Sequence, residues 1–310
     1  MAKRIINKNP FIQPLEINGL TGRVLQIPAP KNKKREIMFI YGHHSSIERW
    51  YGVAEALNQY GRVTVPDLPG FGGMDSFYKI GMEPTIDNFA DYLAAFVKLK
   101  YSRKKVTILG MSLGFVVVTR MLQRYPELVD RVNMLVSFAG FSHKDDFILS
   151  KRNMVFYRTM SSLLGRKYPA KFYKNVVLHP SLIRAAYSKA PNARQKFSGI
   201  SELEKKRYLE LEVELWRNNE ARTYLNTARE FLNLDQLAPP VRAKVWHIAI
   251  DGDRYFDNKV VEQHLKIIYD DVKVAYAEAD NHAPTILATK DEAMKFIPAI
   301  LQREINKTPK

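Results

Sequence analysis

The chain has 310 residues, of which 46% are hydrophobic and 26% are charged, the ordinary composition of a globular protein. It contains no cysteine, which excludes disulfides, a thiolate nucleophile and cysteine-ligated metals. The net charge of +16 fits either a lysine-rich proteome or an anionic partner, such as an acidic substrate, a phospholipid surface or a nucleic acid.

The predicted elements alternate between strands and helices. Apolar runs bounded by turn residues predict strands at 12–17, 22–27, 37–41, 62–65, 106–109, 132–138, 245–250 and 272–277. Helical spacing of apolar residues predicts helices at 46–60, 85–99, 113–125, 260–268 and 284–301. This alternation predicts an α/β fold with a mostly parallel sheet and helices on both faces.

The alternation stops between residues 142 and 235, where the pattern is mainly helical. We interpret 142–235 as a helical cap, or lid, that is inserted over the carboxyl edge of the sheet. The core is then formed by residues 1–141 and 236–310. Within the insertion, the mixed charges of residues 201–230 predict an exposed helix that carries salt bridges.

The beginning of the chain is basic, but no apolar stretch of the kind found in signal peptides follows it. No run approaches the roughly 20 apolar residues that cross a bilayer. We therefore expect a cytoplasmic protein without a transmembrane segment, and the cysteine-free composition favours this expectation.

The strongest motif is Gly110-Met111-Ser112-Leu113-Gly114, which fits the pattern G-x-S-x-G. It follows a predicted strand and opens a predicted helix, which is the setting of a serine nucleophile in a tight turn. The glycines are needed because a Cβ two residues to either side of Ser112 would collide with neighbouring backbone. The alternative is that Ser112 is an ordinary helix N-cap.

A serine hydroxyl needs a base to take its proton, and the base needs an acid to orient it. His282 is the predicted base, because it lies between the last predicted strand and the last predicted helix. Asp253 is the predicted acid, because it closely follows the strand at 245–250. Asp257 is the alternative acid and Asp251 a third, although Asp257 also suits the N-cap of the next helix.

Acyl transfer also needs donors for the developing oxyanion. We predict the backbone amides of Leu113, directly after the nucleophile, and His43, directly after the strand at 37–41. Tyr41, His44 and Met111 are the predicted lining of the substrate pocket. No metal site is predicted, because the adjacent side chains of His43 and His44 diverge and no carboxylate stands at a ligand spacing.

Five motifs in order along the chain resemble those of the α/β-hydrolase superfamily. They are Tyr41-Gly42-His43, Asp67-Leu68-Pro69-Gly70-Phe71-Gly72, the Ser112 pentapeptide, Asp253-Arg254-Tyr255-Phe256 and Asn281-His282. The resemblance implies a mostly parallel eight-stranded sheet, catalysis without a cofactor and a pocket roofed by the cap. This chain departs from the family pattern at two places. The family often has His-Gly where this chain has Tyr41-Gly42, and it commonly has a glycine where this chain has Ile250.

These features together predict a serine esterase that acts on carboxylic esters through an acyl-enzyme. The same triad supports hydrolysis of C–C bonds, lactones or amides, and cofactor-free perhydrolysis. A non-catalytic binding protein on this fold is the alternative from another class.

Residues 151–200 are the most basic part of the chain, with eleven Lys or Arg and no Asp or Glu. Aromatic residues alternate with these cations along the segment. One interpretation is a solvated cap exterior whose aromatics pack inward. The others are peripheral contact with an anionic membrane, and an anionic or lipid-like acyl substrate. Nucleic acid is the least favoured partner.

Overall fold

The computed structural model describes residues 9–189, 201–278, 282 and 289–307. A single eight-stranded sheet forms the centre, with the order β1-β2-β4-β3-β5-β6-β7-β8. The strands are β1 Ile12–Ile17, β2 Leu20–Ile27, β3 Arg35–Ile40, β4 Gly61–Pro66, β5 Val106–Met111, β6 Val132–Phe138, β7 Val241–Ile250 and β8 Tyr269–Ala277. Only β1 and β2 run antiparallel to their neighbours. The predicted fold class, a mostly parallel eight-stranded sheet surrounded by helices, is confirmed.

The helices among the described residues follow the same alternation. They are α1 Tyr51–Asn58, α2 Ile86–Lys100, α3 Leu113–Arg124, α4 Lys151–Leu164, α5 Lys167–Phe172, α6 Pro180–Lys189, α7 Glu202–Asn218, α8 Ala221–Phe231, α9 Asn258–Ile268, α10 Lys290–Lys295 and α11 Ala299–Asn306. None of these helices combines the length and the apolar character that a membrane span requires.

The register brings the carboxyl ends of the central strands to one edge. Ile40 of β3 pairs with Gly110 of β5, and Met111 pairs with Phe138 of β6. At the far side, Ile250 of β7 pairs with Ala277 of β8. Loops that follow these strands therefore start at the same edge, which is where parallel α/β sheets place their ligand sites.

The described chain between β6 and β7 forms helices α4 to α8. Its two ends meet, because Lys144 N–H donates to the Leu234 carbonyl (2.8 Å) and Gln236 N–H donates to the Ser142 carbonyl (3.1 Å). Helices α4 and α5 both pack against α8. The segment therefore leaves the sheet and returns to it at one place, and we refer to it below as the insertion and to the rest of the chain as the core.

Three stretches differ from the sequence-based expectation. The predicted helix at 46–60 begins as a 3₁₀ turn at Glu48–Trp50 and becomes α-helical only in α1. The expected exposed helix at 201–230 is two helices with buried positions such as Val213 and Leu225, because they pack against other parts of the insertion and the core. The predicted helix at 284–301 lies outside the described residues over 284–288, and its described part is the two helices α10 and α11 in place of one.

Asp67 is a buried centre that joins several elements near the sheet edge. Its carboxylate accepts hydrogen bonds from Arg23 Nε (2.9 Å), Tyr41 Oη (2.8 Å) and the Ile47 amide (3.2 Å). Burial raises the pKa of Asp67 to about 7, although Arg23 lowers it. The interaction ties the chain after β4 to β2 and to the loop after β3, and so fixes that loop beside the site.

The loop after Asp67 also holds the insertion. Gly70 and Gly72 have positive φ values of 83° and 60°, a conformation that side chains with a Cβ rarely adopt. The Gly70 carbonyl accepts from the Glu220 amide (2.8 Å), and the Gly72 amide donates to Asn219 Oδ1 (2.8 Å). The motif residues therefore connect the core to the junction between α7 and α8.

Candidate active site

Ser112 lies in the turn between β5 and α3, at the carboxyl edge of the sheet. Its backbone has φ 49° and ψ −120°, a strained conformation for a residue with a side chain. The Ser112 amide donates to the Phe138 carbonyl (3.0 Å), and its own carbonyl accepts from the amides of Phe115 and Val116. These hydrogen bonds hold the strained turn in place.

The two glycines of the motif are required by close backbone contacts. A Cβ on Gly110 would lie 2.6 Å from Phe115 Cα, and one on Gly114 would lie 2.2 Å from the Ile40 carbonyl oxygen. Gly42 is also close, because a Cβ there would lie 3.2 Å from Ser112 Cβ. The first turn of α3 therefore packs directly on the end of β3, and Ser112 lies beside Gly42 at this contact.

The amides predicted as oxyanion donors flank this contact. Leu113 is the first residue of α3, and its N–H is one of the helix amides that have no partner within the helix. His43 follows Gly42, the residue adjacent to Ser112. Neither amide donates to an acceptor among the described residues. Both residues line the same cavity as Ser112.

His282 is paired with Asp253. His282 Nδ1 lies 2.6 Å from Asp253 Oδ2, and the Asp253 side chain is only 1% exposed. The other carboxylate oxygen, Oδ1, accepts from the amides of Tyr255 (2.8 Å) and Phe256 (3.3 Å). These contacts fix the carboxylate. Because an ionised carboxylate can only accept, Nδ1 carries a hydrogen, and Nε2 is left to accept one when the ring is neutral.

The alternative acids are occupied elsewhere. Asp257 caps helix α9, where its Oδ1 accepts from the amides of Lys259 (2.9 Å) and Val260 (3.3 Å). Asp251 is exposed, and its amide donates to the Ala277 carbonyl. The difference arises in the turn after β7, where the Asp253 amide donates to the Ile250 carbonyl (3.1 Å) and directs this side chain towards His282.

Ser112 and His282 line one cavity of about 640 Å³, within the range of small-molecule sites. Within the described residues, no hydrogen bond joins the Ser112 hydroxyl to the His282 ring. In substrate-free enzymes such contacts are often long and tighten only when the reacting complex forms. A cavity of this volume has room for an acyl group beside both side chains.

The cavity that Ser112 lines also has an aromatic wall, which sequence reasoning did not identify. Its members are Phe141, Phe147, Tyr224, Phe231, Tyr255 and Phe256. The rings of Phe141 and Phe256 stack at 4.5 Å, and that of Phe147 lies 4.7 Å from Phe256. The wall joins residues from before, within and after the insertion, so no local spacing could have revealed it.

Of the predicted pocket residues, only Met111 lines the cavity. The Tyr41 side chain instead points to Asp67, and its oxygen also accepts from the Leu68 amide. The His44 side chain turns towards the insertion, where its Nδ1 accepts from Asn219 Nδ2 (3.1 Å) and its ring contacts Trp216. The prediction is wrong for Tyr41 and His44, because hydrogen bonds direct both side chains away from the cavity.

The side chain of His43 packs against helix α8. Its Nε2 donates to the Tyr224 carbonyl (3.1 Å), and its ring stacks on that of Tyr224 at 4.3 Å. Burial lowers the pKa of His43 to about 3. The ring is therefore neutral near neutral pH and acts as a packing contact between the core and helix α8.

Two arginines that the sequence analysis did not single out also reach the cavity. Arg49 Nη1 donates to the His44 carbonyl (3.3 Å), while its buried Nε has no partner among the described residues. Arg254 is exposed at the cavity. No carboxylate is found among the described lining residues, and neither arginine forms an ion pair with a described acid.

The family model for the alpha/beta hydrolase fold matches residues 37–270, and the chain belongs to this family. The resemblance inferred from the motifs is therefore confirmed. No curated protein matches the chain at a significant level.

Solved structures with the same fold include three hydrolases of different kinds. An esterase from Thermogutta terrifontis is 15% identical, with a TM-score of 0.62, over 96% of this chain and 98% of that one. N-formylmaleamic acid deformylase from Pseudomonas putida S16 is 17% identical, with a TM-score of 0.60, over 87% and 94%. A bacterial membrane phospholipase A is 15% identical, with a TM-score of 0.66, over 96% and 87%.

The contact between Gly114 and β3 leads to a stability prediction. In Gly114→Ala the new Cβ meets the Ile40 carbonyl oxygen at 2.2 Å, so we expect a loss of about 3 kcal/mol in the free energy of unfolding. Gly81→Ala is the matched control, because Gly81 has φ 74° but no atom within 4 Å of a Cβ. Its backbone strain alone should cost about 1 kcal/mol. Urea unfolding measures both, and equal losses would contradict the account.

Proposed function

We propose that this protein is a serine esterase that hydrolyses carboxylic esters through Ser112, His282 and Asp253. The observation that carries the proposal is the 2.6 Å contact between His282 and a fixed, buried Asp253, in the cavity where Ser112 stands on a strained turn. A serine nucleophile needs a base, and that base needs an orienting acid. The contact between His282 and Asp253 supports the second requirement, and the cavity that Ser112 shares with His282 supports the first.

The proposed reaction has two halves. Ser112 Oγ attacks the acyl carbon while His282 Nε2 takes its proton, and the carbonyl oxygen becomes an oxyanion held by the amides of His43 and Leu113. The imidazolium, stabilised by Asp253, returns the proton to the leaving alkoxide as the C–O bond breaks. Water then attacks the acyl-enzyme, again giving a proton to His282, which passes it back to Ser112 Oγ as the acid leaves.

We propose further that residues 142–235 act as a cap over this cavity. Phe147, Tyr224 and Phe231 of this segment line the cavity together with Ser112. The aromatic wall supports an acyl group with apolar parts, because ring faces exclude water from the reacting carbonyl. The cap side chains would then select the substrate.

The same triad could hydrolyse bonds other than carboxylic esters. The solved structures of the same fold include an esterase and a deformylase, so the fold does not select the bond. Amides, lactones and C–C bonds are the alternatives, as is a binding protein without catalysis. Activity on simple esters separates the last of these from the rest.

Replacement of the nucleophile should abolish hydrolysis. In Ser112→Ala the attacking oxygen is missing, so we expect kcat for p-nitrophenyl butyrate to fall by at least about a thousandfold. Ser45→Ala is the matched control, because Ser45 lines the same cavity but its hydroxyl oxygen accepts a hydrogen bond from Trp50 Nε1. We expect the kcat of Ser45→Ala to stay within about tenfold of the wild-type value. Unchanged turnover in Ser112→Ala would overturn the proposal.

Two aspartates four residues apart test the assignment of the acid. Asp253→Asn removes the acceptor that fixes the His282 tautomer, so kcat should fall by about a thousandfold or more. Asp257→Asn makes the same chemical change at a helix N-cap, where Asn serves as well as Asp. We expect nearly normal kcat for the second variant. A large loss in Asp257→Asn with normal kcat in Asp253→Asn would reverse the assignment.

Arg49 and Arg254, the two arginines that line the cavity, support a negatively charged substrate. We propose that an ester bearing a carboxylate or phosphate group is preferred over a neutral ester of equal size, as measured by kcat/KM. Arg49→Gln and Arg254→Gln should each reduce this preference by about tenfold, the size of one charge-assisted hydrogen bond. Arg152→Gln, exposed on α4, is the control. If both arginine variants kept the wild-type preference, the substrate proposal would fail while the esterase proposal stood.

A further inference from the structure

The outer side of α4 and α5 exposes large apolar side chains. We call the exposed surface formed by α4, α5 and the π-helical turn Tyr173–Val177 the α4–α5 face. On it Tyr168 is 79% exposed, Phe172 62% and Phe156 58%. The expectation that the aromatics of this segment pack inward is therefore wrong for these three residues. Exposed apolar groups of this size, when clustered, mark a binding surface.

Helical spacing places the exposed groups of each segment along one side of that segment. Arg152, Phe156, Thr159 and Leu163 follow one another at steps of three or four residues, which is one side of a helix. Tyr168, Phe172 and Val176 repeat at steps of four along the next segment. All but Thr159 are apolar or basic, and each of the seven is exposed.

Cations without acidic partners surround the apolar groups. Three of the basic side chains in this segment are used internally. Arg158 and Lys174 donate to backbone carbonyls of the insertion, and Arg184 pairs with Glu210. Five others are exposed and form no ion pair with any described residue: Lys151, Arg152, Arg166, Lys167 and Lys171.

We propose that the α4–α5 face docks on the surface of an anionic membrane. Exposed aromatics at the level of the headgroups, surrounded by lysines and arginines, are the combination that holds amphipathic segments at such surfaces. The charge complements anionic lipid headgroups, and the apolar groups enter the boundary between headgroups and acyl chains.

The charge argues against a second copy of this face as the partner, because two such surfaces would repel each other. The aliphatic members argue against single-stranded nucleic acid. Val155, Leu163 and Val176 are exposed beside the aromatics, but they have no ring face on which a base could stack. In the lipid boundary these side chains are buried as readily as the aromatic ones.

The α4–α5 face lies on the other side of helix α8 from the cavity. Helix α8 packs against α4 and α5, and it lines the cavity through Tyr224 and Phe231. One helix layer therefore separates a docked membrane from the cavity wall. The docking proposal does not depend on the proposed esterase activity.

Vesicle sedimentation of the full chain tests the proposal. Vesicles of phosphatidylcholine are compared with vesicles of phosphatidylcholine and phosphatidylglycerol, at low and at physiological salt. We expect binding to the anionic vesicles, with weakening as salt screens the charges. The double variant Lys167→Gln/Lys171→Gln should bind about twenty-five times more weakly, since each cation near the surface contributes about a fivefold factor. Phe172→Ser should lose about tenfold.

Matched controls separate the face from net charge and from general hydrophobicity. Lys33→Gln/Lys34→Gln removes two exposed cations from the loop between β2 and β3, and Ile267→Ser removes an exposed apolar residue from α9. Both should bind like the wild type. Equal binding to neutral vesicles, or losses in the controls as large as those in the face variants, would overturn the proposal. So would a protein that sediments with neither kind of vesicle but binds a labelled single-stranded oligonucleotide in a parallel assay.

Discussion

The candidate site depends on one backbone contact, between the first turn of α3 and the end of β3. Glycine at position 114 allows that contact, since a Cβ there would meet the Ile40 carbonyl oxygen at 2.2 Å. The approach brings Ser112 beside Gly42, and with it the amides of His43 and Leu113. A turn with the strain of Ser112 persists only when its surroundings determine it fully. The contact therefore positions the proposed nucleophile and its oxyanion donors together.

The loop after β3 and the cavity residues of α8 are joined to this contact through loops at the same edge of the sheet. Asp67 binds Tyr41 and the Ile47 amide, and thereby holds both sides of the loop after β3. The glycines that follow Asp67 bind the junction of α7 and α8, so helix α8, which carries Tyr224 and Phe231, is fixed to the same centre. A substitution in the insertion would therefore change the wall of the cavity. It would leave the proposed triad in place, because Ser112, Asp253 and His282 lie outside the insertion.

The sequence predicts the parts of the site that depend on local pattern. Strand periodicity and the glycines around Ser112 predict the turn, since those residues act within a few positions of one another. Tyr41, His44 and the aromatic wall depend instead on contacts between distant segments. Local spacing cannot show that Tyr41 turns towards Asp67 or that Phe141 stacks on Phe256. The sequence favours Asp253 over Asp257 as the acid but does not exclude Asp257, because the choice depends on the turn after Ile250 that directs Asp253 to His282.

The central claim is that Ser112 is an activated nucleophile. The most direct measurement is the mass of the intact protein, and then of its proteolytic peptides, after treatment with a fluorophosphonate, which reacts with activated serines. The account predicts a single adduct on the peptide that contains Ser112, and much slower labelling in His282→Ala. An unlabelled protein, or an adduct on a different serine, would contradict it.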